Sequence, residues 1–584
     1  MMLMIMDPLR GKRLIPCAWL FLSMLLPVWA GQAILGPLHV DQSAPVGGDG
    51  LSWSTAFSTI TDGVAAANLV GGGDVWVKEG HYTPAAPISL GDATRVYGGF
   101  DGTERRREDR DWRAHGTVVD GVGQGFPLFT ADGVMGFVLD GLAMVGGGGA
   151  NADVEGGGVN IASSQGEIRR CNFTDNQATG ITLTGRGGGA LVSSSVVIIS
   201  ECEFMGNRAA GGTLSGGFGG GMAVVSGSDV SLSDCQFNGN SATGGAMGGE
   251  GGALYVDGAS VTVARATFTN NSASPGGQGG GNGGAVACRS ASGSVLTNCT
   301  LYGNWVSGQG GGLFDVGSDV TLINCTFSAN SAYSGGAFAG DGTGPALTNT
   351  ILWGNSAEEG AQWVFSGTGT PTATNCNVEG ETYDGTVNGN ISQDPLFGNM
   401  FQADVHLQPG SPCINAGTAV GAPSEDIEFI SRPSSGGIDI GAHEWVRILH
   451  VAQSAPGNED GTTWETAFRD VNDALASAQM GDEVWVATGV YAPAATRGGG
   501  PRDATFSLVD GVGLYGGFAG NEQARSERDW EQNQTVLSGD AGEPGDSADD
   551  AYHVVTVVEC QGRTRLDGFM IKDGKANGEG PTSG

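Results

Sequence analysis

A short phrase returns through the middle of this chain with little change. CNFTDNQA begins at 171, CEFMGNRA at 202, CQFNGNSA at 235, ATFTNNSA at 266, CTLYGNWV at 299, CTFSANSA at 325 and TILWGNSA at 350. Successive starts are 31, 33, 31, 33, 26 and 25 residues apart, and a further rung starts at Cys376. Such self-similarity restricts a chain to stacked units, because one unit cannot bury its apolar face alone.

Each phrase follows a segment that alternates in polarity, as in Val230-Ser231-Leu232-Ser233-Asp234-Cys235 and Val320-Thr321-Leu322-Ile323-Asn324-Cys325. Period two means a strand with one buried face, so Val, Leu, Cys and Phe point inward and Ser, Thr and Asn outward. Between phrases comes Gly-Gly with small and apolar residues, as at Gly188-Gly189-Ala190-Leu191 and Gly251-Gly252-Ala253-Leu254, a second strand entered through a glycine bend. Short strands and bends without a helical period fit one coil of a parallel β-solenoid, with equivalent residues stacked in columns. One column is Phe173, Phe204, Phe237, Phe268, Leu301, Phe327 and Leu352. Another is Asn176, Asn207, Asn240, Asn271, Asn304, Asn330 and Asn355, expected at a bend because asparagine tolerates the left-handed conformation and its amide can bond to the next coil. Cys171, Cys202, Cys235, Cys299, Cys325 and Cys376 form a third column, read as a ladder of buried thiols. Parallel stacking holds their Cβ atoms further apart than a disulfide prefers. Gly-rich stretches such as Pro275-Gly276-Gly277-Gln278-Gly279 are expected to bulge from one corner.

The paired motifs GGA-apolar and F-x-x-N, over roughly residues 140 to 390, resemble the repeats of the polymorphic outer membrane proteins, within the pectate-lyase-like right-handed β-helix superfamily. The resemblance implies an all-β, right-handed parallel β-helix. It implies little about activity, since that superfamily includes lyases, hydrolases, adhesins and passenger domains.

Residues 38 to 57, LHVDQSAPVGGDGLSWSTAF, reappear at 449 to 468 as LHVAQSAPGNEDGTTWETAF, and the parallel continues to Leu139-Asp140-Gly141 against Leu566-Asp567-Gly568. The expected organisation is a β-helix with caps over 38–446, its repeat body about 140–390 and its closing segment 391–446, then the opening of a second, truncated β-helix over 449–584. Ala56, Ile60, Val64 and Ala67 in the first copy, and Ala467, Val471, Ala474 and Ala478 in the second, are spaced like one face of a helix that caps an open solenoid end. The block from Asp394-Pro395-Leu396-Phe397 through His406 to Asp439-Ile440-Gly441-Ala442-His443-Glu444 resembles the closing segment of many secreted bacterial β-helix proteins and is read as the far cap. Residues 1–30 carry Arg10, Lys12 and Arg13, an apolar run from Leu14 to Trp29, and Val28-Trp29-Ala30, the pattern of an export signal cleaved after Ala30. Cys17 precedes most of that run and does not read as a lipidation site.

Cleavage would leave 24 basic against 61 acidic residues, which argues against nucleic acid or an anionic membrane as partner. No later stretch is apolar enough to span a bilayer. The motifs by which polygalacturonase-like enzymes arrange paired carboxylates are absent from the first β-helix. Residues 116 to 405 contain no histidine and residues 79 to 571 no lysine. Arg169, Arg170, Arg186, Arg208, Arg265 and Arg289 are the only cations from 150 to 400, and they read as surface residues. No catalytic residue is named from sequence and no cofactor is expected. Calcium is left open by Asp229 and Asp319, at equivalent Gly-Ser-Asp-Val positions, although turn aspartates bonding their own backbone explain them as well. Tyr302, Trp305, Trp353 and Trp363 are candidate sugar-stacking residues. The reading is a monomeric, secreted or cell-surface β-helix that binds an extracellular polysaccharide or a surface protein. The alternative is a polysaccharide lyase or glycoside hydrolase.

Overall fold

In a computed structural model of the chain, residues 36–576 are described apart from 150–152, 182–183, 246, 277–279, 343, 367–370, 381–387, 457–458, 494–499, 544 and 558–563. The expected export signal and Cys17 lie outside the described residues, as does part of the Pro275–Gly279 stretch.

The alternation in each repeat is realised as parallel pairing in constant register. Val197 pairs with Val230 and Val230 with Val261, while Phe204 pairs with Phe237 and Phe237 with Phe268. Repeated coil after coil, this builds parallel sheets of 12, 11, 10 and seven strands. One coil runs from the 10-stranded sheet (Ala190–Ser193) to the 12-stranded sheet (Val196–Ser200), the 11-stranded sheet (Glu203–Met205) and the seven-stranded sheet (Arg208–Ala210). The chain is therefore a right-handed parallel β-helix.

Column residues fill the interior. Phe173, Phe204, Phe237 and Phe268 stack face to face with centroids 4.5, 4.7 and 4.9 Å apart. The eight described cysteines are free and buried. Burial pushes the Cys235 and Cys376 thiols up to about 12, which keeps them protonated. Cys288 stands apart from the Cys column, on the inner face of the 10-stranded sheet next to Val256.

The asparagine column is a hydrogen-bond ladder but not a left-handed one. Asn240 Nδ2 donates to Asn271 Oδ1 at 2.9 Å and to Phe204 O at 2.8 Å, and the pattern repeats from Asn176 to Asn355. The left-handed residue is the one before it, Asp175, Gly206, Gly239, Asn270, Gly303, Ala329 or Gly354. That residue makes the turn, which frees the asparagine to point into the core.

Gly-Gly precedes the strands of the 10-stranded sheet from Val159–Ala162 to Phe338–Asp341 because the coils touch there: a Cβ on Gly220 would lie 2.3 Å from Gly252 O. The glycine-rich extensions are not simple bulges. Gly185–Arg186 pairs with Gly217–Phe218, and bridges continue through Glu250, Asn282, Gln309 and Ser334. Phe218 of this ladder packs on the outward Leu191, Ala223, Tyr255, Ala287 and Phe314 of the 10-stranded sheet, which explains why that outer face is apolar.

Helix α1 (Ile60–Leu69) is N-capped by Thr59 and buries Ile60, Val64 and Ala67 against the first coil. Helix α2 (Val471–Ser477) repeats this in the second copy, N-capped by Asp470 and burying Val471, Ala474 and Leu475. Residues from Ile448 to Lys572 form three further parallel sheets with a hydrophobic cluster of their own. The register of the first copy recurs there, Leu38 on Val75 against Leu449 on Val484.

The closing segment is not an end cap. Residues 388–391 close the last coil, through Ile391 N to Cys376 O and Val378 N to Ile391 O. The chain then turns back along the flank of the final coils. The cause is a corner column of left-handed residues: Arg170, Glu201, Asp234 and Arg265 early, but Asn298, Asn324, Asn349 and Asn375 late. The late asparagines donate to the carbonyls of Glu425 (2.7 Å), Asp439 (3.1 Å), Thr418 (2.8 Å) and Ala416 (3.0 Å), stitching the segment to the side of the helix.

Candidate functional site

The four aromatic candidates separate by location. Tyr302 donates to Met400 O beneath the closing segment, Trp353 packs in the cluster around Ile351 and Leu407, and Trp363 stacks on buried Phe338 with centroids 5.3 Å apart. Only Trp305 of the four is open to solvent, at 47% exposure. Tyr333, 50% exposed, joins it and was missed in the sequence because it lies just past the repeat phrase. Trp305 pairs with Ser331, so Tyr333 is two residues further along the adjacent strand on the same outward face. Strand spacing and rise put their Cα atoms on the order of 8 Å apart. Ser307, Ser356 and Glu358 complete an exposed, hydroxyl-rich surface around them.

The arginines of the repeat body are mostly engaged. Arg169 and Arg170 converge with Arg110 on Asp140, at 2.9, 2.5 and 2.6 Å. Burial pushes the Asp140 carboxyl up, but the Arg170 and Arg110 hydrogen bonds more than offset this and hold it below the usual carboxylate range. The second copy repeats the clasp as Arg528 on Asp567 at 3.0 Å, so it belongs to the opening coils of each copy. Arg265 pairs with Asp234 and Arg289 with Glu250. Arg208 donates to Thr243 Oγ1. Arg186 stands 3.9 Å from Glu155 in an open cleft of about 610 Å³ that also holds Phe126, Asp153 and Asn160.

Asp229 and Asp319 are not brought together. Each is exposed at its own turn, Asp229 accepting from Ser260 Oγ at 3.2 Å and Asp319 from Gly293 N at 3.1 Å. A different group of donors meets on the flank, where His406, Glu428 and His443 place ligand-type atoms within 4.8 Å of one another. His406 Nδ1 is 2.6 Å from Asp404 Oδ1 and Nε2 is 3.1 Å from Glu428 Oε2. The Glu428 hydrogen bond, with help from Asp404, lifts the His406 pKa to about 9. Burial, with His406 beside it, lowers that of His443 to about 3, so this ring is neutral. The sequence offered a faint signal here: two of its seven histidines fall in the closing segment.

No helix among the described residues is long and apolar enough to cross a membrane. No curated protein matches the sequence. Among solved structures, pectate lyase Pel9A is similar at 14% identity over 71% of this chain and 97% of that one, with a TM-score of 0.42. The tailspike protein gp49 from Acinetobacter baumannii bacteriophage Fri1, a capsular polysaccharide depolymerase, is similar at 15% identity over 60% of this chain and 59% of that one (TM-score 0.31). The PL6 family alginate lyase AlyGC is similar at 11% identity over 88% and 70% (TM-score 0.31). The family model of the right handed beta helix region matches residues 150–280 and 213–378, the stretch in which the described coils are most regular. By its parallel coils and by this match, the repeat body of the chain is a right-handed β-helix region.

Proposed function

We propose that the chain is a secreted or cell-surface β-helix that binds an extended extracellular polysaccharide along the outer face of its seven-stranded sheet. The observation that carries this reading is the pair Trp305 and Tyr333, large aromatic side chains left open to solvent on adjacent strands. Two rings on one outward face present apolar surfaces to pyranose C–H groups, with serine hydroxyls beside them as hydrogen-bond partners. Glu358, Glu359 and the formal charge of −35 disfavour an anionic chain, so the glycan preferred is a neutral one. The double variant Trp305→Ala/Tyr333→Ala should lose about 1.4 kcal/mol or more of binding, about tenfold in affinity. Affinity electrophoresis through neutral glucans, mannans and galactans, with polyuronates as comparison, measures this. Equal retention of parent and variant on every glycan rules the face out.

A second reading rests on the cleft between Asp153, Glu155 and Arg186, where carboxylates and a guanidinium from neighbouring coils share an open cavity. Carboxylates in this setting serve as acid and base around a glycosidic bond. New reducing ends or unsaturated products that vanish in Glu155→Gln would make the chain an enzyme. Retention without products keeps it a binder.

A further inference from the structure

Three stretches of the closing segment, their ligands 22 and 15 residues apart, each deliver one metal-ligating side chain to the flank of the last coils. His406 lies on the strand Asp404–Leu407, Glu428 on the loop after Asp426, and His443 in the stretch that ends at Glu444. Two features separate this triad from a chance gathering of polar groups.

The first is orientation. The Asp404 carboxylate holds His406 by Nδ1, leaving Nε2 turned to Glu428, and a carboxylate behind an imidazole is the usual support of a metal-binding histidine. Buried Asp426 fixes the other two ligands: Oδ1 accepts from Glu428 N and Ile430 N, and Oδ2 from Glu444 N, all at 2.8 Å. Arg432 anchors the same stretch through Glu444 at 2.5 Å, with both side chains fully buried. The second feature is an orphan. The His443 side chain is buried, yet its Nδ1 has no hydrogen-bond partner. A buried polar atom left unpaired costs about 1–3 kcal/mol, so such a position calls for a ligand.

We propose that His406, Glu428 and His443 bind one divalent transition-metal ion, zinc by the nature of the donors, and that this ion cross-links three stretches of the closing segment to one another. Two imidazoles and one carboxylate suit zinc and its neighbours, whereas calcium and magnesium take oxygen ligands. The 3.1 Å between His406 Nε2 and Glu428 Oε2 is close to the ligand spacing of a tetrahedral site with bonds of about 2 Å. Asp540, Asp549 and Asp550 also gather three carboxylates, but an all-oxygen group cannot give the spectrum of a nitrogen-ligated ion.

The test is calorimetric titration of the chelator-treated full chain with zinc, and cobalt(II) substitution read by visible absorption. One nitrogen-ligated ion per chain and a higher melting temperature are expected. His443→Phe keeps a ring in the buried slot, so it should fold in metal-free buffer while losing one equivalent of zinc and the cobalt band. His406→Gln, at a half-exposed position, should lose the same equivalent, and Asp404→Asn should weaken binding about 10–100-fold. A parent chain that binds no zinc, or a cobalt band that survives His443→Phe and His406→Gln, overturns the proposal.

Discussion

Asn240→Ala should destabilise the middle of the β-helix by about 4 kcal/mol, an unusually large effect for a single polar substitution. The Asn240 side chain makes four hydrogen bonds in a site with no solvent contact. Its amide donates to Phe204 O and Asn271 Oδ1, and its carbonyl accepts from Asn207 N and Asn207 Nδ2, both at 3.0 Å. Truncation leaves the Asn207 N–H and one Asn207 amide hydrogen buried without their partner and takes from the Phe204 carbonyl its side-chain hydrogen bond. At about 1–3 kcal/mol for each such group the loss reaches the stated size. Stability in a solenoid is a sum of coil and neighbour-coupling contributions, so the damage should be local. Hydrogen exchange should quicken across coils 202 to 275 before the ends respond. The exposed Asn238, two residues earlier on the same turn, serves as control: Asn238→Ala should stay within about 0.5 kcal/mol. Equal exchange in the two variants would show that the ladder contributes nothing.

The contrast between these two asparagines indicates how far the sequence could be read. Column residues such as Phe237, Cys235 and Asn240 were legible because each coil meets only copies of itself, so the repeat in sequence is the contact in space. The reason for the asparagine column was half legible. That its amide reaches the next coil follows from stacking, but which residue makes the turn depends on backbone angles, and Gly239 rather than Asn240 takes the left-handed conformation. The closing segment was legible as a unit and not in its place. It has no repeat, and its path along the flank is set by single hydrogen bonds from Asn298, Asn324, Asn349 and Asn375, residues more than a hundred positions away in some cases. Tyr333 and the His406, Glu428 and His443 triad fall under the same limit, since neither is periodic. Trp305, Tyr302, Trp353 and Trp363 look alike in sequence, but the path of that segment covers Tyr302 and Trp353, Phe338 covers Trp363, and Trp305 stays open.

One interior position breaks the pattern that makes the fold legible. On the inner face of the 10-stranded sheet, Val224, Val256 and Cys288 are followed by Asp315 and then Gly340. Leu313 points in and Phe314 out, so Asp315 points into the core, where it is 1% exposed. Neither carboxyl oxygen makes a well-formed hydrogen bond. Burial pushes its pKa from 3.8 up to about 6, with Ser318 countering only part of that cost. A carboxyl whose folded pKa is raised stabilises the fold fully only below its unfolded pKa. The contribution is lost as pH climbs from about 4 through about 6, and the shift corresponds to about 3 kcal/mol. Asp315→Val restores the residue type of the column two coils earlier, and should stabilise these coils by about 3 kcal/mol more at pH 8 than at pH 3.5. Asp315→Asn should remove the same pH dependence while still burying a polar group, so its gain at pH 8 should be the smaller of the two. Denaturant unfolding of the three proteins at both pH values checks this. A difference between parent and Asp315→Val that does not change with pH would mean that the carboxyl finds water or a partner in the core, and that it ionises there as freely as in the unfolded chain.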